Sequence, residues 1–175
     1  MKKLLTVLLI LMLSLTLTLV CGGCNTNNNT SISTPTCQHT TQIGTCQKCG
    51  VFQNQSNYNK IKNKLSEAST LMEIVLKSLP STSNNDGDYN QKLFNAFKNA
   101  QPQVENVRTC LNSAIQLCGN YSELSTISSS LQRAQTALPT KVNSSNNNDL
   151  QQYLNRLRTF VTEITSARTQ LIYIK

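Results

Sequence analysis

The stretch LQQYLNRLRTFVTEITSARTQLIYI, residues 150–174, decides the fold, because its apolar side chains recur at alternating spacings of three and four residues. This spacing places the apolar side chains along one stripe of an α-helix and leaves polar residues on the other faces. The stripe consists of Leu150, Tyr153, Leu157, Phe160, Ile164, Ala167, Leu171 and Ile174. The stretch therefore predicts a long amphipathic helix that must pack its stripe against other elements.

Three earlier segments, 58–79, 93–118 and 124–138, repeat the same alternation. Their stripes are Tyr58, Ile61, Leu65, Ala68, Met72, Val75 and Leu79; then Leu93, Phe97, Ala100, Val104, Val107, Leu111, Ala114 and Cys118; then Leu124, Ile127, Leu131, Ala134 and Leu138. Pro80, Gly119 and Pro139 follow the three segments, as expected where helices stop. Pro102 lies inside the second stripe, where we expect a kink or a short restart of the helix.

Four amphipathic helices joined by loops rich in Asn and Ser fold most simply as an antiparallel up-down bundle. The apolar spacing is closer to 3.5 than to 3.6 residues per turn, which favours coiled-coil-like packing at a shallow angle. No segment alternates with period two for long enough to predict a sheet. We therefore expect an all-α fold with the bundle in residues 57–175, and the same stripes would also allow a homodimer.

The N-terminus has the layout of an export signal in residues 1–23. Lys2 and Lys3 are followed by an uncharged apolar run from Leu4 to Val20. The run is slightly short for a transmembrane helix, which needs roughly 20 apolar residues, and long for the core of a signal peptide. Cleavage of the signal and its retention as an anchor therefore both stay open.

The residues after this run, Val20-Cys21-Gly22-Gly23-Cys24, resemble the box that precedes the lipid-modified cysteine of bacterial lipoproteins. The resemblance implies lipid attachment at Cys24, because the small Gly23 precedes it, whereas the bulky Val20 precedes Cys21. A lipid anchor would hold the chain at a cell membrane on its extracytoplasmic face. The polar residues 24–36 are then expected to be a flexible spacer.

Residues 37–56 form a Cys/His segment that holds the sole histidine of the chain. Cys37-x-His39 is followed by Cys46-x-x-Cys49-Gly50, and IGTCQKCG resembles the knuckle of a zinc ribbon. Four such ligands suit tetrahedral Zn²⁺, and four protein ligands would leave no open position, so the resemblance implies a structural site. The predicted metal ligands are Cys37, His39, Cys46 and Cys49.

Other interpretations of these cysteines stay open. Outside the cytoplasm they could form a disulfide, with Cys110 or Cys118 as a partner. Cys46-x-x-Cys49 could be a redox pair, although such a pair normally opens a helix after a strand. The segment could also bind nothing. Cys118 lies on an apolar stripe and is expected to be a small buried side chain.

The sequence contains no recognisable catalytic constellation. Its carboxylates lie off the stripes, so a di-metal centre inside the bundle is not expected. Nucleophilic catalysis usually needs a histidine base, and His39 already belongs to the cysteine-rich segment. The chain is thus expected to be non-enzymatic. The glutamates concerned are Glu67, Glu73, Glu105, Glu123 and Glu163.

The formal net charge of +8 indicates attraction to anionic surfaces more than dedicated nucleic-acid binding. We expect a membrane-tethered helical binding or structural module of the cell envelope, whose partners are anionic cell-wall or membrane components or a surface protein. One alternative is a zinc-handling lipoprotein. Another is a secreted eukaryotic protein glycosylated at Asn-x-Ser/Thr triplets, which begin at Asn28, Asn29, Asn54, Asn120 and Asn143.

Overall fold

The computed structural model of the protein describes residues 37, 39, 41–81 and 88–174. Within them lie four α-helices: α1 (Gln55–Lys77), α2 (Tyr89–Cys118), α3 (Ser125–Ala137) and α4 (Asn147–Ile172). A short 3₁₀ turn, Ser122–Leu124, precedes α3. The expected all-α class and helical bundle are confirmed. The predicted signal, the spacer, Cys21 and Cys24 lie outside the described residues.

The ends of the helices follow the local sequence. The Asn146 side chain accepts a hydrogen bond of 2.8 Å from the backbone N–H of Asp149, which caps the start of α4. The Asp149 carboxylate also lies in the first turn, where the helix dipole favours negative charge. Helix α1 ends at Lys77, three residues before Pro80. The start of α4 and the end of α1 therefore each have a cause within a few residues.

Helix α2 passes through Pro102 without a restart. Proline lacks the N–H that would bond to the carbonyl of Lys98, so one helical hydrogen bond is missing there. The side chain of Pro102 is exposed, and the apolar stripe continues on both sides of it. Burial of the stripe therefore holds the helix together across the proline.

The four stripes form one buried core. Every predicted stripe residue is buried except Tyr58, Leu79 and Ile174, which lie near element ends and are half-buried. Helix α1 packs mainly on α2 and α3 on α4, while α2 also contacts α3 and α1 contacts α4. Full burial of a Leu, Ile or Phe side chain stabilises a fold by about 1.5–3 kcal/mol, so the stripes account for the bundle.

A small antiparallel ribbon precedes α1 and was not expected from the sequence. Strand β1 (Gly44–Thr45) pairs with β2 (Phe52–Gln53), with Gly44 opposite Gln53 and Thr45 opposite Phe52. Two-residue strands are too short to show period-two alternation. Ile43, directly before β1, is only 2% exposed and belongs to the same core as the helices. The Cys/His segment is thus packed onto the bundle.

One end of the bundle carries this ribbon and is called the ribbon end below. The Phe52 ring packs edge-on against Tyr58 at 5.3 Å, and the Tyr58 hydroxyl donates to the carbonyl of Leu171 at 3.4 Å. Asn57 donates to the hydroxyl of Tyr121, which follows α2. The start of α1, the connection after α2 and the end of α4 therefore meet at the ribbon end.

In the part of the chain that the structure describes, no helix has the length and apolarity to cross a bilayer.

Candidate metal centre

The four predicted ligands lie together. One ligand atom from each of Cys37, His39, Cys46 and Cys49 falls within 4.8 Å of all the others. The distance from His39 Nε2 to Cys49 Sγ is 3.5 Å. A tetrahedral zinc site with Zn–S of about 2.3 Å and Zn–N of about 2.0–2.1 Å has a sulfur–nitrogen edge of about 3.5 Å. This Cys/His cluster could therefore hold a metal ion.

The loop between β1 and β2 positions two of the thiols. The backbone N–H of Cys46 donates to the carbonyl of Val51 at 3.0 Å, and the N–H of Gly50 donates to the carbonyl of Cys46 at 2.8 Å. Gly50 has φ of 70°, a left-handed conformation that glycine adopts without steric cost. The glycine therefore lets the chain curl behind Cys46 and Cys49, as the Cys-x-x-Cys-Gly pattern predicted.

Asn54 holds the other half of the cluster in place. Its side-chain amide donates to the carbonyl of His39 at 2.9 Å and to the carbonyl of Gln42. Asn54 itself has φ of 54°, at the residue before α1. Asparagine tolerates this conformation better than most residues other than glycine. Sequence reasoning treated Asn54 only as a glycosylation acceptor, since nothing local marks its contact with a residue fifteen positions away.

The thiols of the cluster differ in acidity. The backbone N–H of Cys49, the largest influence, lowers the pKa of the Cys46 thiol, and the N–H of Lys48 acts in the same direction. Burial raises the pKa of Cys37, and the neighbouring sulfurs of Cys46 and Cys49 raise it further. Several thiolates this close repel one another, and a bound cation would relieve that repulsion.

The surroundings of the cluster supply one further polar contact. The Gln53 side-chain amide donates to Cys49 Sγ at 3.7 Å and to the carbonyl of Val51 at 3.0 Å. His39 Nδ1 is buried and has no hydrogen-bond partner among the described residues. Histidine ligands usually orient themselves through the second ring nitrogen. The hydrogen bond from Asn54 holds the backbone of His39, and not its ring.

The remaining described cysteines, Cys110 and Cys118, lie in the helical core and are free thiols. Burial raises the pKa of Cys118 to about 12. Burial also raises the pKa of Cys110, and the nearby Glu67 carboxylate adds to the effect. No disulfide joins any of the cysteines in the described part of the chain. The expected burial of Cys118 is confirmed.

The glutamates considered for a bundle metal centre remain outside the core. Glu67, Glu105 and Glu123 are exposed, and Glu73 and Glu163 are half-buried. Arg133 pairs with Glu163 at 3.0 Å, and Lys77 with Glu73 at 2.7 Å. Within residues 37, 39, 41–81 and 88–174, the Cys/His cluster is the one group with metal-ligand geometry.

Comparison of the chain with protein-family models, curated proteins and solved structures found no significant match.

Proposed function

We propose that this protein is a lipid-anchored, extracytoplasmic helical module of a cell envelope, which binds other envelope components and is not an enzyme. The observation that carries the proposal is the Cys/His cluster at the ribbon end of the bundle. Cys37 belongs to this cluster and lies thirteen residues after Cys24, the proposed lipid site. The cluster thus lies at the N-terminal boundary of the folded domain, directly after the proposed spacer.

Zinc is the ion proposed for the cluster. Three thiolates and one imidazole are a soft ligand set that suits Zn²⁺ rather than Mg²⁺ or Ca²⁺, which prefer oxygen. Four protein ligands complete a tetrahedron and leave no position for a water or a substrate. Its role would be structural, since the ribbon has two residues per strand and cannot hold its own core.

The proposed topology of the bundle is antiparallel and up-down. The start of α1 contacts the end of α4 through Tyr58 and Leu171, and Tyr121, three residues after the end of α2, contacts Asn57 near the start of α1. These contacts support opposite directions for successive helices. The loops after α1 and α3 would then lie at the far end, away from the spacer, where they could meet partners.

A non-enzymatic role is supported by the protonation of the two cysteine thiols in the helical core. The pKa values of Cys110 and Cys118 are raised by burial, so both thiols are protonated and unreactive at neutral pH. The histidine lies in the Cys/His cluster, where a metal would occupy it. A binding role therefore falls to the polar outer faces of the helices, rich in Ser, Asn and Gln.

The second candidate function is metal handling. Cys37, His39 and Cys49 are only half-buried, whereas Cys46 is 4% exposed, so a bound ion would lie close to solvent. A site close to solvent favours exchange of the bound ion with ions in solution. Removal of zinc by a chelator separates the two functions: loss of ribbon signals by NMR supports a structural site, and reversible exchange with an unchanged ribbon supports handling.

The alternative of a glycosylated secreted protein is disfavoured for the acceptor Asn54, because the side-chain amide of Asn54 already donates to two carbonyls. A glycan on that nitrogen would remove one of these hydrogen bonds. A mass spectrum of the mature protein tests the proposal. Diacylglycerol on Cys24 supports it, whereas hexose on asparagine or a retained Met1 rejects the lipid anchor. Crosslinking on intact cells would then identify the envelope partners.

A further inference from the structure

Three of the large apolar side chains that the described structure leaves exposed lie at the ribbon end. Val51 is 58% exposed, Ile172 is 69% exposed and Tyr173 is 72% exposed. Val51 directly precedes Phe52, and Ile172 directly follows Leu171. Since Tyr58 contacts both Phe52 and Leu171, the three exposed side chains belong to one end of the molecule. We call them the apolar tip.

The charges around the apolar tip are mostly positive. Lys48 lies in the ribbon loop, Lys60 and Lys62 in the first two turns of α1, and Arg168 one turn before Ile172 on the same side of α4. At this end of the described chain the acidic residue is Glu123, inside the 3₁₀ turn. An apolar tip with a basic surround is the composition of surfaces that bind anionic bilayers.

We infer that the ribbon end is a membrane-docking face, which inserts the apolar tip into the interface of an anionic bilayer. The inference rests on the proposed lipid anchor. Thirteen residues from Cys24 to Cys37 reach at most about 45 Å, so a lipid on Cys24 would keep this end within that distance of the bilayer surface. Tethering raises the effective concentration, so weak interfacial affinity is sufficient. Tyrosine is a residue that settles at the headgroup level.

The docking is tested by tryptophan fluorescence, because the native chain contains no tryptophan. Two variants of the full mature chain are compared, Tyr173→Trp at the apolar tip and Ile74→Trp as control. Ile74 is also exposed, at 51%, but lies near the end of α1 remote from the ribbon. Each variant is incorporated through its own N-terminus into phosphatidylglycerol-containing vesicles with brominated acyl chains, and flotation of the vesicles reports the anchor.

The expected result is loss of at least roughly half of the emission for Tyr173→Trp, since interfacial burial of about 5–10 Å brings the indole close to the bromines. Emission from Ile74→Trp should not change. Protein that floats with both emissions unquenched overturns the docking but leaves the anchor standing. Protein that does not float overturns both. A blue shift without quenching in Tyr173→Trp means that a second copy of the chain covers the tip, and this also overturns membrane docking.

Discussion

The side-chain amide of Asn54 donates a hydrogen bond of 2.9 Å to the backbone carbonyl of His39, and so joins the start of α1 to a ligand of the Cys/His cluster. The same amide donates to the carbonyl of Gln42, so a single side chain holds both His39 and Gln42. The cluster therefore depends on a residue that is not one of its ligands.

The first prediction concerns this hydrogen bond. Asn54→Gly should keep the left-handed backbone at φ 54° but remove the amide, so the His39 loop loosens. We expect zinc affinity to fall by about 10–100-fold, the usual effect of losing an outer-shell contact. Chelator competition measures the change. Asn63→Ala, an exposed asparagine on α1, is the matched control, and equal affinities in the two variants would contradict the role of Asn54.

The second prediction concerns the ligands. Cys46→Ser should lose zinc binding at micromolar metal, because a serine hydroxyl does not replace a buried thiolate ligand. The helices should persist in far-UV circular dichroism, since the bundle has its own core. Cys110→Ala is the control and should retain one zinc per chain by elemental analysis. Retention of a full equivalent by Cys46→Ser would show that the metal binds elsewhere.

The third prediction concerns thiol reactivity. After chelation, iodoacetamide at pH 8 should modify Cys37, Cys46 and Cys49, and added zinc should protect all three. Cys110 and Cys118 should stay unmodified in both states, because the packed helices of the core enclose them, and burial there also raises their pKa values. Peptide mass mapping measures the modification. Modification of Cys118 at the rate of Cys49 would disprove its burial.

The fourth prediction concerns Tyr153, whose ring stacks on Phe97 at 4.1 Å. Burial raises the pKa of Tyr153 from its ordinary value of 10 to about 12, and Glu105 contributes to the shift. The folded state thus holds the phenol proton more tightly than the unfolded chain. Its contribution to stability is complete below pH 10 and is lost as the pH rises from 10 to 12.

Tyr153→Phe removes this alkaline loss, which amounts to about 1.4 kcal/mol at pH 11, the midpoint of the window, at 1.36 kcal/mol per pH unit. At neutral pH the variant should gain about 1 kcal/mol, since the Tyr153 hydroxyl is buried without a hydrogen-bond partner in the described structure. Urea unfolding at pH 7 and pH 11 measures both effects. Cys118 titrates alike in the native protein and in Tyr153→Phe, so its effect cancels when their stabilities are subtracted. If the free energy of unfolding fell equally between pH 7 and pH 11 in the two proteins, the raised pKa of Tyr153 would be disproved.

The fifth prediction concerns Pro102. Pro102→Ala should restore the hydrogen bond to the Lys98 carbonyl and raise the free energy of unfolding by about 1–3 kcal/mol. The exposed Asn106→Ala on the same helix is the control and should gain only about 0.5 kcal/mol. Thermal unfolding compares the two. A destabilised Pro102→Ala would mean that the helix needs the proline geometry for its packing.

The spacing of apolar residues predicted the four helices and nearly all of the core, since a stripe of period 3.6 is a local property that burial then enforces. The pattern Cys46-x-x-Cys49-Gly50 predicted the turn of the Cys/His cluster for the same reason. All four candidate ligands could be found in the sequence because they lie within a span of thirteen residues.

The sequence by itself thus determined the helices, their buried faces and the candidate ligand set. Only the tertiary structure placed the ribbon, the Asn54 contact with His39 and the meeting of Tyr58 with Leu171. Two-residue strands carry no readable period, and the last contact joins residues more than one hundred positions apart. Such features depend on how separate elements pack, which no local spacing encodes. The apolar tip likewise became visible only once that packing showed which side chains remain in solvent.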